Sequence, residues 1–289
     1  MTSSQAFNRT NTVSQLIDAR ADIAPQKIAV IDRGEIWTYA ELAAETRRLA
    51  GGLLKLGVGS GDRVGFWLPN IAQYLALHIA CARIGAITIS INTRFRSSEV
   101  GDIVGRSGCR ALVLWPSFKD IAFLDILAEV DSTHLEQLEF LITYSEGEQE
   151  TQLPGRLSSR RTVSYADLAR SKMFASDGAG AQNGVVVFTT SGTTAAPKFV
   201  LHSQHSISHH AHDVASFFGW NDQDAVLLQV LPLCGTFGHA GAMAALSAGC
   251  PMVLMPVFSD QEAVQLMQSH RITHCNGSDE MFARMLAAA

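Results

Sequence analysis

Apolar residues recur along this chain in two alternating rhythms, one of period near 3.6 and one of short unbroken runs. Val13, Leu16, Ile17 and Ala21 fall at helical spacing and predict a helix ending near Pro25. Lys27 to Asp32 predicts a short strand, and Gly34-Glu35 a turn into a second strand at Ile36-Trp37. Thr38 is an N-cap, and Glu41 three residues later completes a capping box. The helix it opens carries Leu42, Leu49, Leu53 and Leu54 and runs to Gly57. After a turn at Gly57, Gly59 and Gly61, Arg63 to Leu68 predicts a strand that Pro69-Asn70 breaks. Tyr74 to Ile84 reads as an apolar helix stopped by Gly85, and Ala86 to Ile91 as the next strand. Ser97-Ser98-Glu99 opens a further helix, and Ala111 to Trp115 is a strand again.

Residues 141–184 break the rhythm. They are rich in Glu, Ser, Gly and Gln, with a short apolar patch around Val163 to Leu168, and predict a connection between two subdomains. Val185 to Phe188 then reads as a buried strand. Beyond it the pattern predicts a helix over about 203–218, a strand from Val226 to Val230 and a helix over about 240–248. A strand from Met252 to Met255, a helix from Asp260 to Ser269 and a strand near Ile272 to His274 follow. Strands alternating with helices predict an α/β fold, a predominantly parallel sheet covered by helices on both faces. The expected division is a flexible tail over 1–12, a first α/β part over 13–183 and a second over 184–289.

Composition narrows the function classes. With 289 residues, 47% apolar and 17% charged, the chain can bury a sizeable core and is not a disordered sequence. A net charge of −5 with no long basic run argues against a nucleic-acid partner. Cys81, Cys109, Cys234, Cys250 and Cys275 are far apart, odd in number and without a C-x-x-C pair, which suits a reducing, cytoplasmic setting. No apolar signal-type stretch opens the chain, and no run long enough to span a membrane is present.

The richest chemistry lies just after the 185–188 strand. Thr189, Thr190, Ser191, Thr193 and Thr194 crowd around Gly192 ahead of Pro197-Lys198. Hydroxyls and exposed amides can donate to phosphate oxygens, and the lysine adds a point charge. The bland alternative is a Ser/Thr-rich surface turn. The common triphosphate loop is excluded, because Lys198 follows a proline and precedes Phe199 rather than Ser or Thr.

The order T-S-G-T-T-x-x-P-K resembles the phosphate-binding signature of the adenylate-forming (AMP-forming) superfamily, which includes the acyl- and aryl-CoA synthetases. Other segments match that family in the same order. Trp37 to Leu42 resembles its T-Y-x-E-L segment. Gly57 to Asn70 resembles its G-V-x-x-G-D segment ending in L-P-N, Gly85 to Arg94 its G-A…N-x-R segment, and Leu231-Pro232-Leu233 its L-P-L. Two positions depart from the usual signature: Ala195 and Phe199 stand where glycines are common. The resemblance implies two stacked, predominantly parallel sheets flanked by helices. It implies activation of a small carboxylic acid with ATP and Mg²⁺, then transfer to coenzyme A, with fatty acid metabolism as the setting and a homodimer as an expectation. It assigns the phosphate grip to Thr190, Ser191, Gly192, Thr193, Thr194 and Lys198.

The acid pocket is expected from Cys234, Gly235, Phe237, Gly238 and His239. Relatives carry an aromatic-histidine pair just after L-P-L. Here Cys234-Gly235 fills those places, and His239 four residues on is the candidate to stand in. The small residues suit either a roomy acid site or close helix packing. No acidic residue lies in the segment to pair with a substrate amine, which favours a plain acyl or aryl acid. His205, His209 and His212, spaced to share a helix face beside His202 and His210, suit either a zinc site or an ordinary helix. Cys234 reads as a nucleophile or, without a partner pattern, as a buried thiol. The family's later nucleotide elements and its C-terminal catalytic lysine have no match here, so no catalytic residue is assigned. The resemblance thus points to an N-terminal part that adenylates little or not at all by itself. A non-catalytic binding module working with a separate chain is the alternative.

Overall fold

A computed structural model describes residues 9–147, 152–190, 197–222 and 224–289. In chain order its first elements are α1 (Val13–Ile23), β1 (Ile28–Asp32), β2 (Glu35–Thr38), α2 (Tyr39–Lys55), β3 (Arg63–Trp67), α3 (Ala72–Ile84), β4 (Ile87–Ser90), α4 (Ser97–Ser107) and β5 (Ala111–Leu114). Then come α5 (Phe123–Ala128), β6 (Phe140–Thr143), β7 (Arg161–Ser164), α6 (Tyr165–Ala169), β8 (Gly184–Thr190), β9 (Lys198–Ser203) and α7 (Gln204–Phe217). The chain closes with β10 (Leu227–Gln229), α8 (Thr236–Ala248), β11 (Met252–Leu254), α9 (Asp260–Ser269), β12 (His274–Cys275) and α10 (Asp279–Ala288).

The strands form two sheets, ordered β7-β6-β5-β3-β4-β8-β9 and β12-β10-β11-β1-β2. Pairing is parallel except for the β8–β9 and β1–β2 hairpins. The fold is the predicted α/β class, with two mostly parallel sheets flanked by helices. The sheets interleave along the chain: β1 pairs with β11 from the last quarter, and position 183/184 falls between strands of one seven-stranded sheet. The first hairpin turns on Arg33 and Gly34, both at positive φ (49° and 84°). Arginine tolerates that region poorly. Here its guanidinium is held by both carboxylate oxygens of Asp32 at 2.9 Å and by Tyr144 Oη at 3.2 Å.

The sequence marks most elements because their caps are local. The Thr38–Glu41 capping box forms as expected, and Gly85 ends α3 in the left-handed conformation. Two expectations need correction. Residues 141–184 are not a mere connection, since they supply most of β6 and all of β7 and α6. β6 is a buried four-residue strand with three apolar residues, too short to stand out, and β7 is an edge strand whose Arg161 and Thr162 face solvent. β9 also escapes the hydrophobic pattern: it is the opposite edge, with Val200 and Leu201 exposed. Residues 9–12, expected as loose tail, are bonded to α7 through Thr10–Ser208 (2.7 Å) and Asn11–His209 (3.3 Å).

Every residue of α3 is buried. The helix packs on α1 and α2 and touches strands of both sheets, β1 and β4. Its N-terminal amide at Ala72 donates to Asp32 Oδ2 (2.9 Å), so a carboxylate from one sheet caps the helix. At its other end Arg83, fully buried, is surrounded by acceptors. Nη1 and Nη2 reach the two Asp18 oxygens (2.9 and 2.6 Å), Nη1 also reaches Asp177 (3.0 Å), and Nε donates to Thr46 (2.9 Å). Gln204, also buried, accepts from the Val13 amide and donates to Ala82 O, tying α7 to α1 and α3.

A buried charge that loses a partner keeps its desolvation cost and forfeits the attraction that offset it. Asp18→Ala is expected to destabilise the fold by about 3 kcal/mol, read as a lower urea midpoint with unchanged m. A loss below about 1 kcal/mol would mean that Asp177 and Thr46 suffice.

Candidate functional site

Thr189 and Thr190, which begin the hydroxyl-rich run, end β8, and Lys198 opens β9. Val185 to Phe188 are buried, and the last paired positions are Thr190 and Lys198. Both are exposed at the tip. Ser191, Gly192, Thr193 and Thr194 lie outside the described residues. Beyond the tip the strand is clamped by α4: the Arg106 guanidinium lies 4.4 Å over the Phe199 ring and donates to Pro197 O. Asp102 holds that arginine from one turn earlier at 2.9 Å. Phe199, a departure from the family signature, thus has a packing role.

The pocket segment is fixed by a residue far away in sequence. Asn70, 4% exposed, donates through Nδ2 to Leu231 O (3.0 Å) and accepts at Oδ1 from the Leu233 amide (2.8 Å). Gln229 Nε2 donates to Leu231 O (2.7 Å) and to Gly238 O (3.1 Å). This turn feeds into α8, which Gly235 caps. Gly238 serves close packing: a Cβ there would stand 2.2 Å from Pro232 O. Phe237 points outward, 73% exposed, and Cys234 is half-buried. Burial pushes the Cys234 thiol up to about 12, so it stays protonated at neutral pH and is a poor nucleophile.

His239 turns inward from the first turn of α8 and is 2% exposed. Its Nε2 lies 3.0 Å from Nε2 of His78 on α3, and His78 Nδ1 lies 2.9 Å from Thr88 Oγ1 on β4. The Phe188 ring packs edge-on against His239 at 5.2 Å and against His202 at 5.6 Å. Phe188, His202 and His239 border a cavity of about 250 Å³, which Ile207 and His210 of α7 and Met243 of α8 also line. Burial lowers the His78 pKa to about 4. It also holds His239 well below the usual histidine range, helped by His78, His202 and His210 nearby. Both rings are neutral at pH 7.

Of the expected pocket residues, the structure brings His239 to the cavity, seats Gly238 against the Leu231–Pro232 carbonyls and turns Phe237 to solvent. His78, Asn70 and Arg106 were not expected at the site. A lone histidine in an otherwise apolar helix was the available signal for His78. The α7 histidines do not converge on one point. His205 and His209 stack at 3.9 Å, while His212 Nε2 meets Thr10 Oγ1 at 3.0 Å. Among the described residues, no three His, Cys, Asp or Glu side chains are placed to hold a metal ion.

An α/β domain of two mostly parallel sheets, with a cavity near the Thr190–Lys198 end of the β8–β9 hairpin, matches the class inferred from the motifs. A profile of the family described as AMP-binding enzyme matches residues 17–289, and the chain belongs to that family. It is 28% identical over 294 residues to the Bacillus subtilis (strain 168) protein YngI, covering 94% of this chain and 52% of that one. It is 26% identical over 303 residues to the human mitochondrial medium-chain acyl-CoA ligase ACSF2, covering 96% and 48%. Among solved structures, the anthranilate CoA ligase AuaEII in complex with anthranoyl-AMP superposes with a TM-score of 0.80 at 20% identity, over 99% of this chain and 53% of that one. The chain spans about half the length of the curated relatives it matches.

The neutral histidines predict a pH dependence. An unfolded histidine takes a proton near pH 6.5, whereas folded His78 resists until about 4. Between those values the unfolded chain binds more protons, so this contribution is complete above about 6.5 and lost as pH falls towards 4. The gap corresponds to about 3 kcal/mol. Urea denaturation at pH 7, 6 and 5 should show wild type losing stability more steeply than His78→Phe; parallel curves would contradict it.

Proposed function

We propose that this chain forms the phosphate-gripping and acid-binding half of an ATP-dependent acyl- or aryl-acid:CoA ligase. The overall reaction joins a carboxylate to the α-phosphorus of ATP with loss of pyrophosphate, then passes the acyl group to the thiol of coenzyme A. The observation that carries this reading is the position of the cavity relative to the hairpin tip. Phe188, which borders the cavity, is two residues from Thr190, about 7 Å along a strand. An acid held in the cavity would present its carboxylate to a phosphate held at the tip.

In this reading Thr190 and Lys198, with Ser191, Gly192, Thr193 and Thr194, hold the phosphate oxygens by hydroxyl, amide and ammonium donors. An exposed lysine at a hairpin tip fits a polyanion, and Mg²⁺ would supply further neutralisation of the phosphate charge. Phe188, Ile207 and Met243 would bury the body of the acid, with His239 as its polar contact. Cys234, Gly235 and Gly238 support this seat by shaping the turn into α8. No carboxylate is among the cavity's lining residues, which supports a plain acid over an amino acid. A volume of about 250 Å³ suits a single ring or a short to medium chain. The medium-chain name of the human relative supports the same range. A homodimer working in the cytoplasm, in fatty acid metabolism, completes the proposal; five free thiols suit that compartment.

Lys198→Ala is expected to weaken ATP–Mg²⁺ binding at least about tenfold, since a hydrogen bond from a charged donor contributes about 1.5–3 kcal/mol. Calorimetric titration of both proteins is the check. Equal affinity would remove Lys198 from the grip.

A further inference from the structure

The cavity is lined by bases and carries no charge. Histidines from three elements border it, His202 on β9, His210 on α7 and His239 on α8, together with the hydroxyl residues Ser206 and Thr236. No Lys, Arg, Asp or Glu is among its lining residues. The titratable groups that bear on His239 are His78 of α3, His202 and His210, and with burial they keep it neutral at pH 7. An ionised carboxylate entering this space would be a buried charge without a counter-charge, which a protein interior tolerates poorly. A proton from solvent removes that cost. Placed on the carboxylate, it would leave a neutral acid, a poor nucleophile. Placed on an imidazole, it leaves the carboxylate ionised and gives it a cation to face.

Hydrogen bonding singles out His239. Among the described residues it is the cavity histidine whose ring is hydrogen-bonded: Nε2 lies 3.0 Å from Nε2 of His78, and His78 Nδ1 lies 2.9 Å from Thr88 Oγ1. An added proton finds its arrangement already built. His239 Nε2–H donates to His78 Nε2, His78 Nδ1–H donates to Thr88 Oγ1, and His239 Nδ1 takes the second proton. The bond between the rings then has a charged donor and is stronger than one between neutral rings.

We propose that the cavity takes up one proton from solvent with each carboxylate it binds, and that His239 holds this proton as an imidazolium paired with the carboxylate. His78 and Thr88 are then positioning residues, aligned to accept in series from the charged ring. The inference deepens the ligase reading and rests on it for the cavity's role as the acid's seat.

The test is a proton count on the 289-residue chain. Calorimetric titration with benzoate and octanoate at pH 7, in buffers of different ionisation enthalpy, measures the protons exchanged on binding. About one proton taken up per acid is expected; none would overturn the inference. Uptake is linked to affinity, so the association constant should fall, by up to about tenfold per pH unit, between pH 7 and 8. A flat profile would contradict it, since the free acid is fully ionised throughout that range. Nitrogen-15 NMR of histidine-labelled wild type locates the proton without relying on a variant to fold. Saturating benzoate at pH 7 should move both ring nitrogens of His239 to imidazolium positions. Proton uptake with silent His239 nitrogens would place the proton elsewhere and overturn the assignment. His239→Gln, which keeps a polar side chain towards His78, should bring uptake to near zero. Failure of both acids to bind would also overturn the inference. ATP–Mg²⁺ titration of the same protein separates the two readings: ATP binding without proton-coupled acid binding overturns this one alone, and proton-coupled acid binding without ATP binding overturns the ligase reading.

Discussion

A helix buried on every side must find its polar partners inside the protein, and α3 finds them for its N-terminal amide, Arg83 and His78, while the buried Gln73 Oε1 has none among the described residues. Its N-terminal amide is met by Asp32 of β1, its Arg83 by Asp18, Asp177 and Thr46, and its His78 by Thr88 and His239. These partners come from residues 18 to 239, so burying α3 commits most of the chain to one arrangement. Hydrophobic burial drives the helix inward but does not choose its angle or depth. The directional bonds do, since an unmatched guanidinium or imidazole in that interior would cost several kcal/mol.

The candidate site follows from the same constraint. His78 is held beside His239, which lines the cavity, because α3 is fixed in its place and because Asn70 and Gln229 hold the turn that precedes α8. Asn70 lies just before α3, so one short stretch anchors both the buried helix and the pocket segment. Gly238 lets α8 approach the Leu231 and Pro232 carbonyls closely enough for this contact. The hairpin tip is braced separately, by Arg106 stacked on Phe199. The hairpin end and the cavity thus rest on different elements and share the buried run of β8.

Local signals in the sequence carried much of this. Capping residues, glycine stops and buried apolar runs marked α2, α3, β3, β4, β5 and β8 to within a few residues, because each depends on neighbours in sequence. The hydroxyl-rich run and the L-P-L segment identified the family and the position of the candidate grip. Edge strands β7 and β9 were not legible. Half of their side chains face water, so their strand character comes from hydrogen bonds to β6 and β8 rather than from their own pattern.

What the sequence by itself determined was the class of fold, the family and the chemistry available at the hairpin tip, since these are written in short runs of adjacent residues. What only the tertiary structure decided was partnership. His78 and His239 are 161 positions apart, as unremarkable singly as Asn70 or Arg83. Their hydrogen bonds form between elements whose separation in the chain says nothing about their distance in space. The depressed basicity of the two histidines has the same origin, because desolvation belongs to the packed interior and to no residue alone.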